Sequence, residues 1–183
     1  MGAAGVETYQ SNRWHMLIEA RAQEFERLKK IVENPDFQCA ADVEIFFEAY
    51  TQYIWDFKMV GMIYDHYTDE TVIHGENGVD IVGIGPVMHH TLERLFTLPD
   101  MKIVFIGIWA DKVSDDEYRF IQITHPEGTF TGPSAYGPPN GKRLGYDNIM
   151  NMCECVVKKI NGKWKIVEEW GLLGYSNFFQ TGA

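Results

Sequence analysis

Cysteine, long apolar runs and positive charge are all scarce in this 183-residue chain. Cys39, Cys153 and Cys155 are too few for a disulfide framework, so we expect free thiols and a reducing compartment such as the cytoplasm. No apolar run approaches the roughly 18 residues that a membrane-spanning helix needs. The N-terminal segment lacks the apolar stretch of a secretory signal, which also favours a cytoplasmic location.

Acidic side chains outnumber basic ones by 26 to 16, which gives a formal net charge of −10. Because such a chain repels polyanions, we expect neither nucleic acid nor a membrane surface as a partner. The aromatic share of 14% argues against disorder, and the length suits one domain. We predict a flexible N-terminus over residues 1–11 and a single domain over residues 12–183.

Apolar residues at helical spacing predict helices in the first third of the chain. One helix covers residues 12–33, and Asn34-Pro35 ends it. A second helix begins near Asp42, which is a candidate N-cap because its carboxylate can accept a backbone N–H bond. A shorter helical stretch follows over residues 60–67.

Beyond these helices the apolar pattern changes to the two-residue period of β-strands. Asn77-Gly78 and Asn161-Gly162 are typical hairpin turns, and residues 126–143 form a loop rich in proline and glycine. The pattern predicts strands at residues 71–76, 79–82, 101–110, 118–125, 144–160 and 163–173, with a helix at residues 85–96. This order indicates an α+β domain, in which helices on one face of a curved sheet enclose a pocket.

Several short motifs follow one another along the chain in a characteristic order. They are Trp55-Asp56, Ile63 to Tyr67 followed by Val72-Ile73-His74, Leu98-Pro99-Asp100, Gly137 to Arg143, and Gly162 to Trp170. Together they resemble the SnoaL-like polyketide cyclase family of the NTF2-like superfamily over roughly residues 42–182. The resemblance implies a cone-shaped, curved antiparallel sheet closed by helices, with residues 12–34 as an N-terminal helical extension.

The resemblance also implies a class of chemistry. Members of this superfamily include polyketide cyclases, ketosteroid isomerases and scytalone dehydratases, which use a pocket acid/base and no cofactor. We therefore expect a small hydrophobic carbonyl substrate, a proton moved next to its carbonyl group, and no cofactor. Other members only bind ligands or act as dimeric interaction modules, and fold does not decide between these roles. The resemblance further implies a homodimer.

The candidate acid/base residues are Glu168, Asp147 and His125. By simple alternation, one largely apolar face of the last strand consists of Trp164, Ile166, Glu168, Trp170 and Leu172. Glu168 would then point into the pocket as a general base, unless it is a partly exposed partner of Arg119 or Arg143. Asp147 is either an acid/base residue on a strand or an aspartate at a strand edge or turn. His125 is either a proton shuttle in the pocket or a solvated residue at a strand end.

The candidate substrate-binding residues come from the mouth helices and the sheet: Tyr64, His74, Trp55, Tyr67 and Trp170. Tyrosine hydroxyls and histidines in an apolar pocket can stabilise a developing enolate, although aromatic stripes at helical spacing more often form core. Relatives often carry an aspartate where this chain has Gly174, so one familiar acid is missing. That departure favours altered chemistry or a purely binding role.

We expect no metal site. His89 and His90 are adjacent on a predicted helix and point about 100° apart, so they do not readily share one ion. The three cysteines are scattered along the chain and lack the spacing of a zinc cluster. Dinucleotide and phosphate-binding glycine motifs are also lacking.

Overall fold

The computed structural model describes residues 3–75, 78–134, 137–145, 147–172 and 174, with the side chains of the first helix described from Met16 onward. The helices are α1 (Ala3–Val32), α2 (Ala40–Trp55), α3 (Met62–His66) and α4 (Ile84–Thr97). The strands are β1 (Val72–His74), β2 (Asp80–Val82), β3 (Lys102–Ser114), β4 (Glu117–Thr129), β5 (Arg143–Leu144), β6 (Asn151–Ile160) and β7 (Lys163–Leu172). Within these residues, no helix combines the length and the apolarity that crossing a membrane requires.

The strands form a curved sheet in the order β2-β1-β7-β6-β4-β3, and β5 pairs with the end of β4. The predicted α+β class, with helices packed on a curved sheet, is confirmed. The sheet is mixed, however, because β1 lies parallel to β7 while the other neighbours are antiparallel. The long antiparallel strands β6 and β7 are joined at Asn161-Gly162, as the sequence predicts.

Helix α2 packs against one face of the sheet, which we call the inner face. Its buried residues keep the predicted helical spacing: Val43, Phe46, Phe47, Tyr50, Tyr53 and Ile54. They meet inner-face residues of β4, β6 and β7, among them Tyr118, Phe120, Val157, Trp164 and Ile166. The rings of Phe47 and Phe120 stack with centroids 4.2 Å apart, which fixes the helix on the sheet.

The first two helices begin earlier than predicted. Helix α1 starts at Ala3, so residues 3–11 belong to it. Cys39 is the N-cap of α2, and Asp42 lies in the first turn. The Asp42 carboxylate reaches back and accepts the backbone N–H groups of Gln38 at 2.9 Å and Cys39 at 3.0 Å. Asp42 thus accepts hydrogen bonds from backbone N–H groups at the start of the helix, although it lies in the first turn and not at the N-cap.

The region between β4 and β6 also differs from the prediction. Strand β4 continues through Pro126 to Thr129, beyond its last pair with β6 at Thr124, so the missing N–H of Pro126 costs no bond to β6. Strand β6 starts only at Asn151. Before it, the Asn148 side chain accepts from the Gly145 N–H at 3.0 Å and donates to the Arg143 carbonyl at 2.8 Å. These bonds close a turn where the sequence pattern predicts a strand.

Candidate active site

A β-bulge in β7 decides which carboxylate faces the helices. Ile166 pairs with Val157, but Glu168 pairs with the next residue, Val156, so β7 carries one extra residue at this point. Such an extra residue reverses the alternation of every side chain that follows it. Trp164 and Ile166 therefore share the inner face with Glu169, and Glu168 turns to the opposite face, which we call the outer face. Simple alternation predicts Glu168 on the same face as Trp164 and Ile166, and the extra residue places it on the opposite face instead.

Glu169 is the carboxyl group that the bulge directs inward. The hydroxyl of Tyr67, at the end of α3, donates to its Oε2 at 3.0 Å. The residue keeps some exposure, while Tyr67, Cys153 and Cys155 beside it are buried. Burial raises the pKa of Glu169, whereas hydrogen bonds from Cys153 and Tyr67 and the charge of Arg94 oppose that rise. Glu169 is thus a carboxyl group of raised pKa held by a tyrosine in a largely apolar setting.

Two thiols lie beside this carboxyl group on the neighbouring strand. Cys153 and Cys155 alternate onto the inner face of β6, and their sulfur atoms are 3.6 Å apart. Cys155 stands directly opposite Glu169 in the β6–β7 register. The ligand atoms of these three residues all lie within 4.8 Å of one another. Burial raises the pKa of Cys155 to about 11, so its thiol is protonated at neutral pH.

Further polar groups share the inner face with Glu169. Gln122 pairs with Cys153 in the β4–β6 register, and the Thr51 hydroxyl of α2 donates to the Gln122 side-chain oxygen at 3.3 Å. The Tyr50 hydroxyl, on the same helix, donates to the Met62 carbonyl at 3.4 Å. The inner face is therefore apolar with a few fixed polar groups, which is the usual composition of a small-molecule site.

Three predicted site residues meet on the outer face instead. His74 lies 2.9 Å from an Asp80 oxygen through Nδ1 and 3.1 Å from a Glu168 oxygen through Nε2. Its ring stacks on Trp170, with centroids 5.2 Å apart. Trp170 is 36% exposed. The structure thus brings Glu168, His74 and Trp170 together, but on the side of the sheet away from α2.

This outer-face cluster predicts a pH-dependent contribution to stability. Hydrogen bonds to Glu168 and Asp80 raise the pKa of His74, so folding favours its protonated form. That stabilisation is complete below the ordinary histidine pKa of about 6.5 and is lost as the pH rises through the raised value. The Tm difference between the natural protein and His74→Gln should therefore be larger at about pH 6 than at about pH 9. An equal difference at both pH values would show that the ion pairs contribute nothing.

The other two predicted acid/base residues lie elsewhere. Asp147 is an exposed residue of the turn that Asn148 closes, so it is not a strand residue. His125 is 7% exposed, and its Nδ1 lies 2.6 Å from the Ile149 carbonyl oxygen. Strand β4 alternates regularly against β6 up to Thr124 and pairs on with β3 through His125, so His125 lies on the face opposite to Gln122. His125 is therefore a buried residue bonded to a backbone carbonyl, and it is not solvated.

The remaining predictions concern the helices and the end of β7. Tyr67 joins the site through Glu169, as described above, whereas Tyr64 is 60% exposed. Trp55, at the end of α2, is partly buried and packs against both hydrophobic clusters of the chain. Gly174 has φ +63°, a left-handed conformation that favours glycine, so an aspartate there would be strained.

Sequence reasoning missed Glu169, Cys153, Arg94 and Gln122 as site residues. Simple alternation assigns Glu169 to the outer face, and only the extra residue in β7 corrects this. One available signal is Val167, an apolar residue directly after Ile166, which marks a break in the alternation of lysine and apolar side chains. The contact between Cys153 and Glu169 depends on how β6 and β7 are aligned, and a local sequence pattern does not specify that alignment.

Comparison with known proteins defines the fold class. No protein-family profile matches this chain, and no curated protein sequence matches it either. Solved structures do match, and they have the NTF2-like fold, also described as cystatin-like. The resemblance predicted from the sequence motifs is thereby confirmed as a likeness of fold.

The matching structures include proteins assigned to several reactions. A candidate SnoaL-like polyketide cyclase from Jannaschia is 12% identical with a TM-score of 0.51, over 70% of this chain and 85% of that chain. A hexachlorocyclohexane dehydrochlorinase from Novosphingobium barchaimii is 12% identical with a TM-score of 0.54, over 88% and 89%. A candidate scytalone dehydratase from Novosphingobium aromaticivorans is 13% identical with a TM-score of 0.55, over 86% and 85%. At such identities the likeness extends to the fold alone.

Proposed function

We propose that this protein is a cofactor-independent enzyme that moves a proton next to the carbonyl group of a small hydrophobic molecule. The observation that carries the proposal is the Glu169 carboxyl group, turned onto the inner face and held by the Tyr67 hydroxyl at 3.0 Å. The names of the structural neighbours, a cyclase, a dehydratase and a dehydrochlorinase, support a reaction of this kind.

Glu169 would act as the general base. Its carboxylate would take a proton from the carbon beside the carbonyl group. The electron pair of that C–H bond would form the C=C bond of an enolate, as the π pair of the carbonyl group moves to its oxygen. The same carboxylic acid would return the proton to carbon or to a leaving oxygen. A raised pKa strengthens the carboxylate as a base, and apolar burial of Glu169 has that effect.

Tyr67 and Gln122 would support this step in different ways. Tyr67 is a positioning residue, because its hydroxyl donates to Oε2 of Glu169 and so fixes the orientation of the carboxylate. The Gln122 side chain lies on the same face, opposite Cys153. Its amide N–H groups would donate hydrogen bonds to the developing enolate oxygen. Arg94 adds a positive charge that favours the ionised form of Glu169.

Hydrogen exchange on a simple ketone tests this proposal without knowledge of the natural substrate. The probe is 2-tetralone, a small apolar ketone with acidic protons beside its carbonyl group, dissolved in D₂O with the purified protein. We expect loss of the α-proton signal in the ¹H NMR spectrum faster than in buffer alone. A rate equal to that of buffer, together with ligand-induced shifts in the protein spectrum, would instead favour a binding protein without catalysis.

We also propose that the chain forms a homodimer through the outer face of the sheet. Large apolar side chains are exposed there, including Trp109 at 53% and Leu172 at 59%. Trp170 extends this surface on the same strand as Leu172. Exposed apolar area of this kind on a monomer commonly marks an interaction surface.

Charge inserted into the outer face should prevent dimerisation. We expect the natural protein to elute as a dimer in size-exclusion chromatography with light scattering, and Leu172→Glu to elute as a monomer because a buried unpaired charge is costly. Ile45→Glu is the matched control, since Ile45 is similarly exposed at 55% but lies on α2. A monomeric natural protein, or equal behaviour of the two variants, would contradict the proposed interface.

A further inference from the structure

The thiol pair beside Glu169 has the arrangement of a metal-binding site. Cys153 and Cys155 project from the same face of β6, and Glu169 projects beside them from β7. One sulfur from each cysteine and one oxygen of the carboxylate lie mutually within 4.8 Å. A single ion placed among these atoms would contact all three residues.

The distances suit a tetrahedral thiolate site. Two sulfurs bound to one zinc ion at about 2.3 Å are separated by about 3.8 Å when the angle between them is tetrahedral. The Cys153 and Cys155 sulfurs are already 3.6 Å apart. Little movement is therefore needed to bring both sulfurs into coordination.

The donor set selects the type of metal. Two thiolates favour a soft or borderline cation, such as Zn²⁺ or Cd²⁺, over Mg²⁺ or Ca²⁺, which prefer oxygen ligands. The Tyr67 hydroxyl holds the Glu169 carboxylate by a hydrogen bond, which is the usual way in which a second residue orients a metal-binding carboxylate. Three protein ligands leave a fourth tetrahedral position for water or another small ligand.

We propose that Cys153, Cys155 and Glu169 bind one zinc-like divalent cation on the inner face of the sheet. Binding replaces the protons of both thiols and any proton on the carboxyl group, and these protons pass to the solvent. Because Glu169 is then a ligand, the bound ion inhibits proton transfer. This inhibition rests on the proposed function, whereas metal binding itself does not.

Titration of the reduced, metal-free protein with Cd²⁺ tests the site directly. Cadmium thiolates absorb in the ultraviolet, so the absorbance reports sulfur ligation. We expect a signal that saturates at one Cd²⁺ per chain. The signal should be unchanged in Cys39→Ser, because Cys39 is exposed and outside the cluster. It should be lost in Cys153→Ser and Cys155→Ser, and Glu169→Gln should keep the absorbance with weaker binding.

The results separate the two proposals. No absorbance with the natural protein, or absorbance lost in Cys39→Ser but kept in Cys155→Ser, would overturn the metal site. Cys155→Val provides a second variant whose apolar side chain suits the buried position if the serine variant unfolds. Saturable absorbance without any exchange of 2-tetralone would keep the metal site and count against the enzymatic proposal alone.

Discussion

Glu169→Gln is expected to reduce the protein-catalysed exchange of 2-tetralone α-protons by about 10²–10⁴-fold, which is the usual contribution of a general base. Glutamine keeps the shape of the side chain and can still accept a hydrogen bond from Tyr67. It cannot take a proton from carbon. The measurement is the exchange rate constant at fixed pH, obtained from the decay of the α-proton NMR signal at several protein concentrations.

Glu168→Gln is the matched control for this prediction. It makes the same chemical change one position earlier, on the face that carries His74. We expect it to leave the exchange rate within about twofold of the natural protein, because Glu168 lies on the opposite face of the sheet from Glu169. If Glu168→Gln lost the activity and Glu169→Gln kept it, the assignment of the base would be wrong.

Phe47→Ala is expected to lower the free energy of unfolding by about 3–5 kcal/mol, the usual cost of removing a large buried aromatic side chain. Phe47 is 2% exposed and stacks on Phe120 at 4.2 Å. It also contacts Tyr50 edge-on, so its loss leaves a cavity where α2 meets the sheet. Urea unfolding followed by circular dichroism measures the effect.

Ile45→Ala serves as the reference for Phe47→Ala. It lies on the same helix and also shortens an apolar side chain, but it is 55% exposed. We expect a change within about 0.5 kcal/mol, because exposed positions away from special features tolerate substitution. Equal destabilisation by the two variants would show that α2 does not pack on the sheet through Phe47.

Much of the architecture follows from local sequence signals. The helical spacing of Phe46, Phe47 and Tyr50 predicts the buried side of α2, and the structure buries these residues against the sheet. Asn161-Gly162 predicts the hairpin between β6 and β7, because this dipeptide suits the left-handed conformations that both residues adopt. The order of helices and strands then leaves few folds to consider.

The placement of the carboxylates required information that a local pattern does not hold. Alternation along one strand assumes that no residue is inserted, and the extra residue in β7 breaks that assumption after Ile166. Trp170 and Leu172 favour the assignment of Glu168 to the inner face, because they are apolar although they lie on the outer face. In a sheet with an apolar outer surface, hydrophobicity alone does not identify the face that the helices cover.

Asp147 shows a second kind of limit. Its neighbours are compatible with a strand in the sequence pattern, but the Asn148 side chain bonds back to the backbone of Arg143 and Gly145. Such side-chain to backbone bonds compete with strand pairing, and the competition is decided by local geometry. Strand β6 consequently begins at Asn151, and Asp147 remains exposed.

The register of β6 against β7 is the most direct test of this account. In an antiparallel pair, backbone protons of directly opposed residues lie close together and give strong nuclear Overhauser effects. The structure places Cys155 opposite Glu169, so ¹³C- and ¹⁵N-labelled protein should show cross-strand contacts between these two residues. Cross-strand contacts between Cys155 and Glu168 instead would mean that β7 has no bulge, and Glu169 would then lie on the outer face, away from α2.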